Sequence, residues 1–402
     1  MIKSDIQQPY NNKIIYMQVF LIAFGLLGFE LFSYLPELLK TDSRAVTVPY
    51  RALFLVLCST VLFSPRLRKT IKVHKDFIPI LLFWFFYYIR ASYDTAFHLD
   101  DIKMSISDFW LFAFLLSFYP MLPLLCKINL STITTAKHFV FFMAIALNIL
   151  SIAHNYSALT TMNLSRFKSN EILNPITSGQ IGAILTIMSF TYLYKKTTWI
   201  MFSLIALIAL GVANVFLAAS RGPVVQLVIM LLVFILLNIK RIGYKKLSFL
   251  LFLFTCLSIY FSDYISLYNT IMKRLEGTGL SQSGSDQARY ILFTGAWDQF
   301  LSHPLLGDFI EGRIYGGYPH NIFLESLMAL GVLGGIAMIY IFVSAFRNST
   351  SIMKFSSTDW LGCILIMQMV AQLTSGSIYS SFAFWSLIAV ISNIKNNIAL
   401  YR

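Results

Sequence analysis

Tyr318-Pro319-His320-Asn321-Ile322-Phe323-Leu324-Glu325 sets an imidazole, an amide and a carboxylate where a long polar stretch meets an apolar run. Pro319 restricts the backbone before His320, and Asn321 can cap the helix that the apolar run predicts. Glu325 follows four residues after Asn321, on the same helical face. Histidine titrates near neutral pH and can take a proton from a hydroxyl group, although a lone histidine is structural in most settings. His74, His98, His138 and His154 fall in no comparable pattern. The second signal is Arg221, in Ser220-Arg221-Gly222-Pro223 directly between two apolar runs. A guanidinium held there is costly to desolvate unless it snorkels or meets an anion. Arg166, Arg274, Arg289 and Arg313 occupy the polar stretches expected to form outer loops. The planar guanidinium fork suits bidentate binding of phosphate oxygens. Two readings of these arginines stand: interfacial residues meeting lipid headgroups, or a cluster that holds a lipid-linked phosphate.

The elements that must position these residues follow from composition. Of 402 residues, 57% are hydrophobic and 12% charged, against roughly 25% charged in a soluble globule. Apolar runs near the roughly 20 residues needed to cross a bilayer recur along the chain, and the short alternating segments of a membrane barrel are missing. The fold class is therefore all-α: a polytopic helical bundle forming one integral membrane domain over residues 1–402. Twelve spans are expected, at about 14–33, 48–64, 77–90, 109–126, 136–153, 177–194, 198–218, 223–239, 247–262, 322–346, 360–376 and 381–394, by hydropathy alone. The first run is long for a signal peptide and should stay as the first span.

Charge gives the orientation. With the N-terminus inside, the inner segments hold 19 of the 31 Lys and Arg and three of the 18 acidic residues, a net +16; the remainder is −3. Positive charge divided among short loops beside lipid is the signature of topology and argues against nucleic-acid binding. The inner loops carry no Gly-rich phosphate loop, so chemistry should face outward. The largest outer loop, residues 263–321, lies between the ninth and tenth spans. Within it, Asp286 to Leu301 has Tyr290, Leu292, Phe293, Trp297, Phe300 and Leu301 at helical spacing, an amphipathic helix that lies on the membrane surface or caps the bundle. His303-Pro304-Leu305-Leu306-Gly307 ends it. Glu30, Gln180, Asn214, Gln226, Gln368 and Gln372 fall inside spans; each either lines a cavity or bonds between helices. Cys58, Cys126, Cys256 and Cys363 lie in apolar runs without ligand spacing, so neither a metal nor a structural disulfide is expected.

Ser220-Arg221-Gly222 at a span end, Arg289 before an amphipathic segment, His303-Pro304-Leu305-Leu306-Gly307, and Tyr318 to Glu325 followed by Gly331, Gly334 and Gly335 together resemble the bacterial O-antigen polymerase and O-antigen ligase superfamily. The resemblance covers about residues 160–346; Arg166 with Asn174-Pro175 fits more loosely. It implies a multi-pass protein of the bacterial inner (cytoplasmic) membrane with both termini cytoplasmic. The implied activity is that of a metal-independent, inverting glycosyltransferase without cofactor, whose site faces the periplasm. Its donor would be an undecaprenyl-pyrophosphate-linked oligosaccharide. By the same resemblance Arg221 and Arg289 hold the donor pyrophosphate, with Arg166, Arg274 and Arg313 as further substrate-binding candidates. His320 orients or deprotonates the acceptor hydroxyl, and Asn321 and Glu325 position the imidazole or a sugar, Glu325 within the catalytic set. Glu325 completes a pattern closer to the polymerase than to the ligase, which would transfer the same glycan to lipid A-core. Implied partners are membrane lipid, a chain-length regulator and a flippase. The competing class, a transporter or oligosaccharide flippase, calls for internal repeats and broken midplane helices, neither legible here. The enzyme reading requires His320, Arg221 and Arg289 to converge on one cavity.

Overall fold

The computed structural model describes residues 12–156, 170, 172–193, 198–242, 285–314 and 316–396, and among these every regular element is helical. The principal helices are α1 (Asn12–Phe32), α2 (Ser43–Phe63), α3 (Ile78–Phe97), α4 (Ile106–Leu125), α5 (Leu130–His154) and α6 (Pro175–Leu193). They continue as α7 (Thr198–Leu217), α8 (Arg221–Ile242), α9 (Ser285–Ser302), α10 (Ile322–Ile352), α11 (Asp359–Thr374) and α12 (Phe382–Asn396). Eight of the described helices are long and apolar enough to cross a membrane: α1, α2, α4, α5, α6, α7, α8 and α10. The chain is a multi-pass membrane protein.

Twelve spans were expected, and the shortfall has identifiable causes. The ninth, 247–262, lies outside the described residues. The third corresponds to α3, 20 residues long but carrying Arg90, Asp94 and several Tyr and Trp side chains that lower its hydropathy. The last two correspond to α11 and α12, helices of 16 and 15 residues. At 1.5 Å per residue they reach only about 24 Å, short of a hydrocarbon core of about 30 Å. Their side chains are nevertheless almost all buried, including Trp360, Cys363, Trp385 and Ile391. Neighbouring helices shield them from lipid, so they need not match its thickness. α4 is irregular: a π-helical segment, Leu111–Phe118, passes into two 3-10 turns at Pro120 and Pro123, where the missing N–H groups break the α-ladder.

Ionic contacts tie each end of the bundle. At one end Lys395 pairs with Asp76 at 2.8 Å, and Lys137 pairs with Asp359 at 2.7 Å with both side chains almost wholly enclosed. At the other end His154 meets Glu37 at 2.9 Å, and Arg90 holds the segment that follows α9. Between them, Asn148 of α5 and Asn214 of α7 join through a 2.7 Å amide bond. Asn214 is thus an interhelical bond, the second of the two roles open to it.

The largest irregularity is a break in α10. Gly331 has φ +66° and ψ −157°, a conformation essentially confined to glycine. The segment after α9 enters this break: Val332 N donates to Pro304 O at 2.7 Å, and Asp308 N donates to Met328 O at 2.9 Å. Gly307, with φ +72°, lies so close to the Ala329 backbone that a β-carbon would overlap it. His303-Pro304-Leu305-Leu306-Gly307 and Gly331 are two halves of one contact. The break is filled by the chain's own backbone, which takes up the hydrogen-bonding groups the helix gives up.

Candidate active site

α9 positions Arg289. Its Ala296 and Phe293 pack on Leu324 and Met328 of α10, and Gln299 donates to the carbonyls of Phe309 and Glu311 at 3.4 and 3.2 Å while accepting from Arg313 N. The expected apolar face divides: Phe293 turns to α10, whereas Tyr290 is 70% exposed and Trp297 47%. The side turned to the bundle is narrower than the spacing predicts and includes the polar Gln299.

His320 lies at the end of a strained loop. Gly316 and Gly317 have φ of +71° and +69°, and His320 itself has φ +56°, a left-handed conformation that costs a non-glycine residue roughly 1–2 kcal/mol. Three contacts hold it there. Asn321 caps α10, its Oδ1 accepting from Phe323 N and Leu324 N at 3.0 and 3.1 Å while its Nδ2 donates to Leu373 O at 3.0 Å. The Tyr318 ring lies edge-on to the imidazole, with centroids 4.5 Å apart, and against Tyr379 at 5.6 Å. Glu311, fully buried, accepts from the backbone N–H of Lys103, Met104 and Gly317. Burial first and the positive charge of Arg289 second push the His320 imidazole below its ordinary value, opposed by the Ser375 backbone.

Arg289, Tyr318 and His320 line one cavity of about 340 Å³, within the range of small-ligand sites. Glu30 of α1, Gln180 of α6 and Gln368 and Gln372 of α11 line it too, with Ser375, Gly376, Ser380 and Ser381 from the loop before α12. Gln226 stands behind this wall, 3.2 Å from Gln180. Four of the six intramembrane polar residues singled out above therefore face the cavity.

The other candidates fall elsewhere. Arg221 is exposed on the first turn of α8, and its neighbour Gly222 lies beside Thr374 at the edge of the cavity wall. Arg221 is not among the residues that line the cavity. Glu325 is fully buried under the loop before α12, accepting from Ile378 N at 3.0 Å and Ser377 Oγ at 3.4 Å. It shapes the loop that supplies four cavity residues. Arg313 spends its fork on Asp308, with Nε–Oδ2 2.6 Å and Nη2–Oδ1 2.8 Å, and stacks over Phe309. That carboxylate raises the Arg313 guanidinium above its ordinary value, and Asp101 lies 3.5 Å from Nη1, so the charge a phosphate would meet is already balanced within the chain. Arg166 and Arg274 lie outside the described residues. Glu311, Arg90 and Asp94 went unnoticed in the sequence, although Arg90 and Asp94, one turn apart in an aromatic helix, are a legible signal. They fix the loop through Arg90 Nη2 to Gly307 O at 3.0 Å and Ile310 N to Asp94 Oδ2 at 3.0 Å.

A search of curated proteins gave no match to the chain. A family model described as O-antigen ligase matches residues 206–308, a stretch that includes Arg221 and Arg289 and stops short of His320. Over these residues the chain carries a domain of the O-antigen ligase family.

Proposed function

We propose that the chain is a metal-independent, inverting membrane glycosyltransferase acting as an O-antigen polymerase at the periplasmic face of the inner membrane. The observation that carries this reading is the placing of Arg289 and His320 on one cavity, with the arginine's charge lowering the imidazole's affinity for a proton. Arg289, with Arg221 as a second cation, holds the pyrophosphate of an undecaprenyl-linked glycan and stabilises the charge it gains on leaving. The acceptor hydroxyl oxygen attacks the anomeric carbon and the bond from that carbon to the pyrophosphate oxygen breaks. The hydroxyl proton passes to neutral His320. Glu325 acts as a positioning residue through Ser377 and Ile378, and Asn321 by fixing the start of α10.

A ligase reading draws on the description of the matching family; it uses the same donor and cavity and differs in the acceptor, lipid A-core. His320→Ala, Arg289→Ala and Arg221→Ala should each leave the protein inserted and cut product formation by about 10²-fold or more. Chain length unchanged in His320→Ala and Arg289→Ala would sink the assignment. In cells deleted for the protein, a single repeat on lipid A-core identifies a lost polymerase; long chains stranded on the carrier identify a lost ligase.

A further inference from the structure

The cavity has an acidic side chain that the transfer chemistry above does not use. Among the described residues that line it, Arg289 is the one cation, His320 the one imidazole and Glu30 the one carboxyl group. Glu30 sits near the end of α1, where Leu26, Leu27 and Phe29 also face the cavity. Its Oε2 is enclosed and accepts no hydrogen bond, and it forms no ion pair among the described residues. Two donors on the facing helix α2 are directed elsewhere. The Tyr50 hydroxyl donates to Phe24 O at 2.7 Å. The Arg51 guanidinium lies between the rings of Phe29 and Phe112, 5.4 and 5.2 Å from their centroids.

An enclosed carboxylate oxygen without a donor is destabilising, and a helix end within a membrane protein is an expensive place to keep one. Glu30 is only half-buried and lines the cavity, so a hydroxyl donor that enters the cavity can meet its side chain. A pyrophosphate drawn to Arg289 meets no cation at this wall. What remains at the Glu30 wall is a chemistry of hydroxyl donors. The neighbouring groups fit it: Gln180 and Gln372 offer amides, Ser381 a hydroxyl, and Phe29 and Phe382 apolar faces, the mixture that binds a sugar ring. The backbone presenting Glu30 is anchored, since its carbonyl accepts from Ser33 Oγ at 2.7 Å, and Ser33 Oγ accepts in turn from buried Asn170 at 2.7 Å.

We infer that Glu30 is a glycan-binding residue, accepting hydrogen bonds from sugar hydroxyls and so holding the glycan across the cavity from Arg289. This rests on the transferase reading for its substrate class. The hydroxyls could belong to the donor sugar or to the acceptor sugar; both present the same chemistry to the carboxylate.

Two probes separate the two sides of the cavity in the full-length protein in lipid nanodiscs: undecaprenyl pyrophosphate, which has no sugar, and the oligosaccharide repeat released from its carrier by mild acid, which has no pyrophosphate. Glu30→Gln, which changes the carboxyl group's pattern of donors and acceptors, should weaken oligosaccharide binding by about tenfold and leave undecaprenyl pyrophosphate binding unchanged. Arg289→Ala should do the reverse, and Glu30→Asp should restore part of the oligosaccharide affinity. Loss of lipid-linked repeat binding in Arg289→Ala with Glu30 intact assigns the held sugar to the donor, and retained binding assigns it to the acceptor. Equal oligosaccharide binding by wild type and Glu30→Gln, or none by wild type, overturns the role of Glu30. Loss of both probes in Glu30→Gln and in Glu30→Asp also overturns it, making the carboxylate a structural member. Wild type that binds the oligosaccharide but not undecaprenyl pyrophosphate instead overturns the transferase reading and leaves Glu30 as a sugar ligand.

Discussion

His320 combines a left-handed backbone, an aromatic neighbour and a cationic one, and each changes what the imidazole can do. The backbone conformation is held by the Asn321 cap on one side and by Glu311 gripping Gly317 on the other, so the ring's position is set before any substrate arrives. Burial and Arg289 hold the imidazole below its usual value of 6.5. A base works in its deprotonated form, so a lowered value extends activity towards acid. The acid limb of the rate profile should therefore lie below pH 6.5. Arg289→Gln removes one of the two causes and should move that limb to higher pH, whatever it does to the maximal rate. Rates measured across pH in membranes check this; a limb that stays in place in Arg289→Gln argues against His320 as the base. His320 was legible because histidine is rare in this chain, and Asn321 and Arg289 because they flank apolar runs where polar groups need a purpose. Arg313 shows the limit of that method: the same residue type in the same loop is neutralised by Asp308, five residues away, and only side-chain geometry tells the two arginines apart.

Among the elements, α10 has the decisive irregularity. A straight helix through Gly331 would leave no place for Pro304 to Gly307, and without that docking the segment that carries Asp308, Glu311 and Tyr318 would lose its anchor. Gly331→Ala places a β-carbon against the Leu305 carbonyl in a conformation that alanine scarcely adopts. It should destabilise the protein by about 2 kcal/mol or more and lower activity with it, read as a drop in thermal unfolding temperature in detergent. An unchanged temperature would mean that the break is not a feature of the folded protein. The two motifs were visible in the sequence as separate strings of letters. Their joining was not, because hydrophobic periodicity continues through residue 331 and gives no sign of a break. α11 and α12 have the converse problem: their apolar runs read as spans, and only their burial inside the bundle explains why 16 and 15 residues suffice.

For the whole molecule, the uneven distribution of Lys and Arg fixes an expected orientation that a labelling experiment can test. In a background with Cys256 replaced, and with the remaining described cysteines buried, Ser302→Cys at the exposed end of α9 should react with an impermeant maleimide added to spheroplasts. Ser356→Cys, exposed on the turn between α10 and α11, should react only after the membrane is opened. The opposite pattern would invert the topology and place the cavity on the cytoplasmic side. Composition and charge by themselves determined that this is a helical multi-pass membrane protein, because hydropathy and helix length are local properties summed along the chain. The types of the candidate residues were likewise readable, since a histidine, an arginine or a glutamate stands out against so much Leu, Ile and Phe. Which of them meet was decided by tertiary structure alone. Glu30, Gln180, Arg289, His320 and Gln372 come from five separate parts of the chain, and no local pattern records which helices become neighbours. The cavity exists because helices distant in sequence pack side by side, and because a loop lodged in a broken helix holds His320 at their common end.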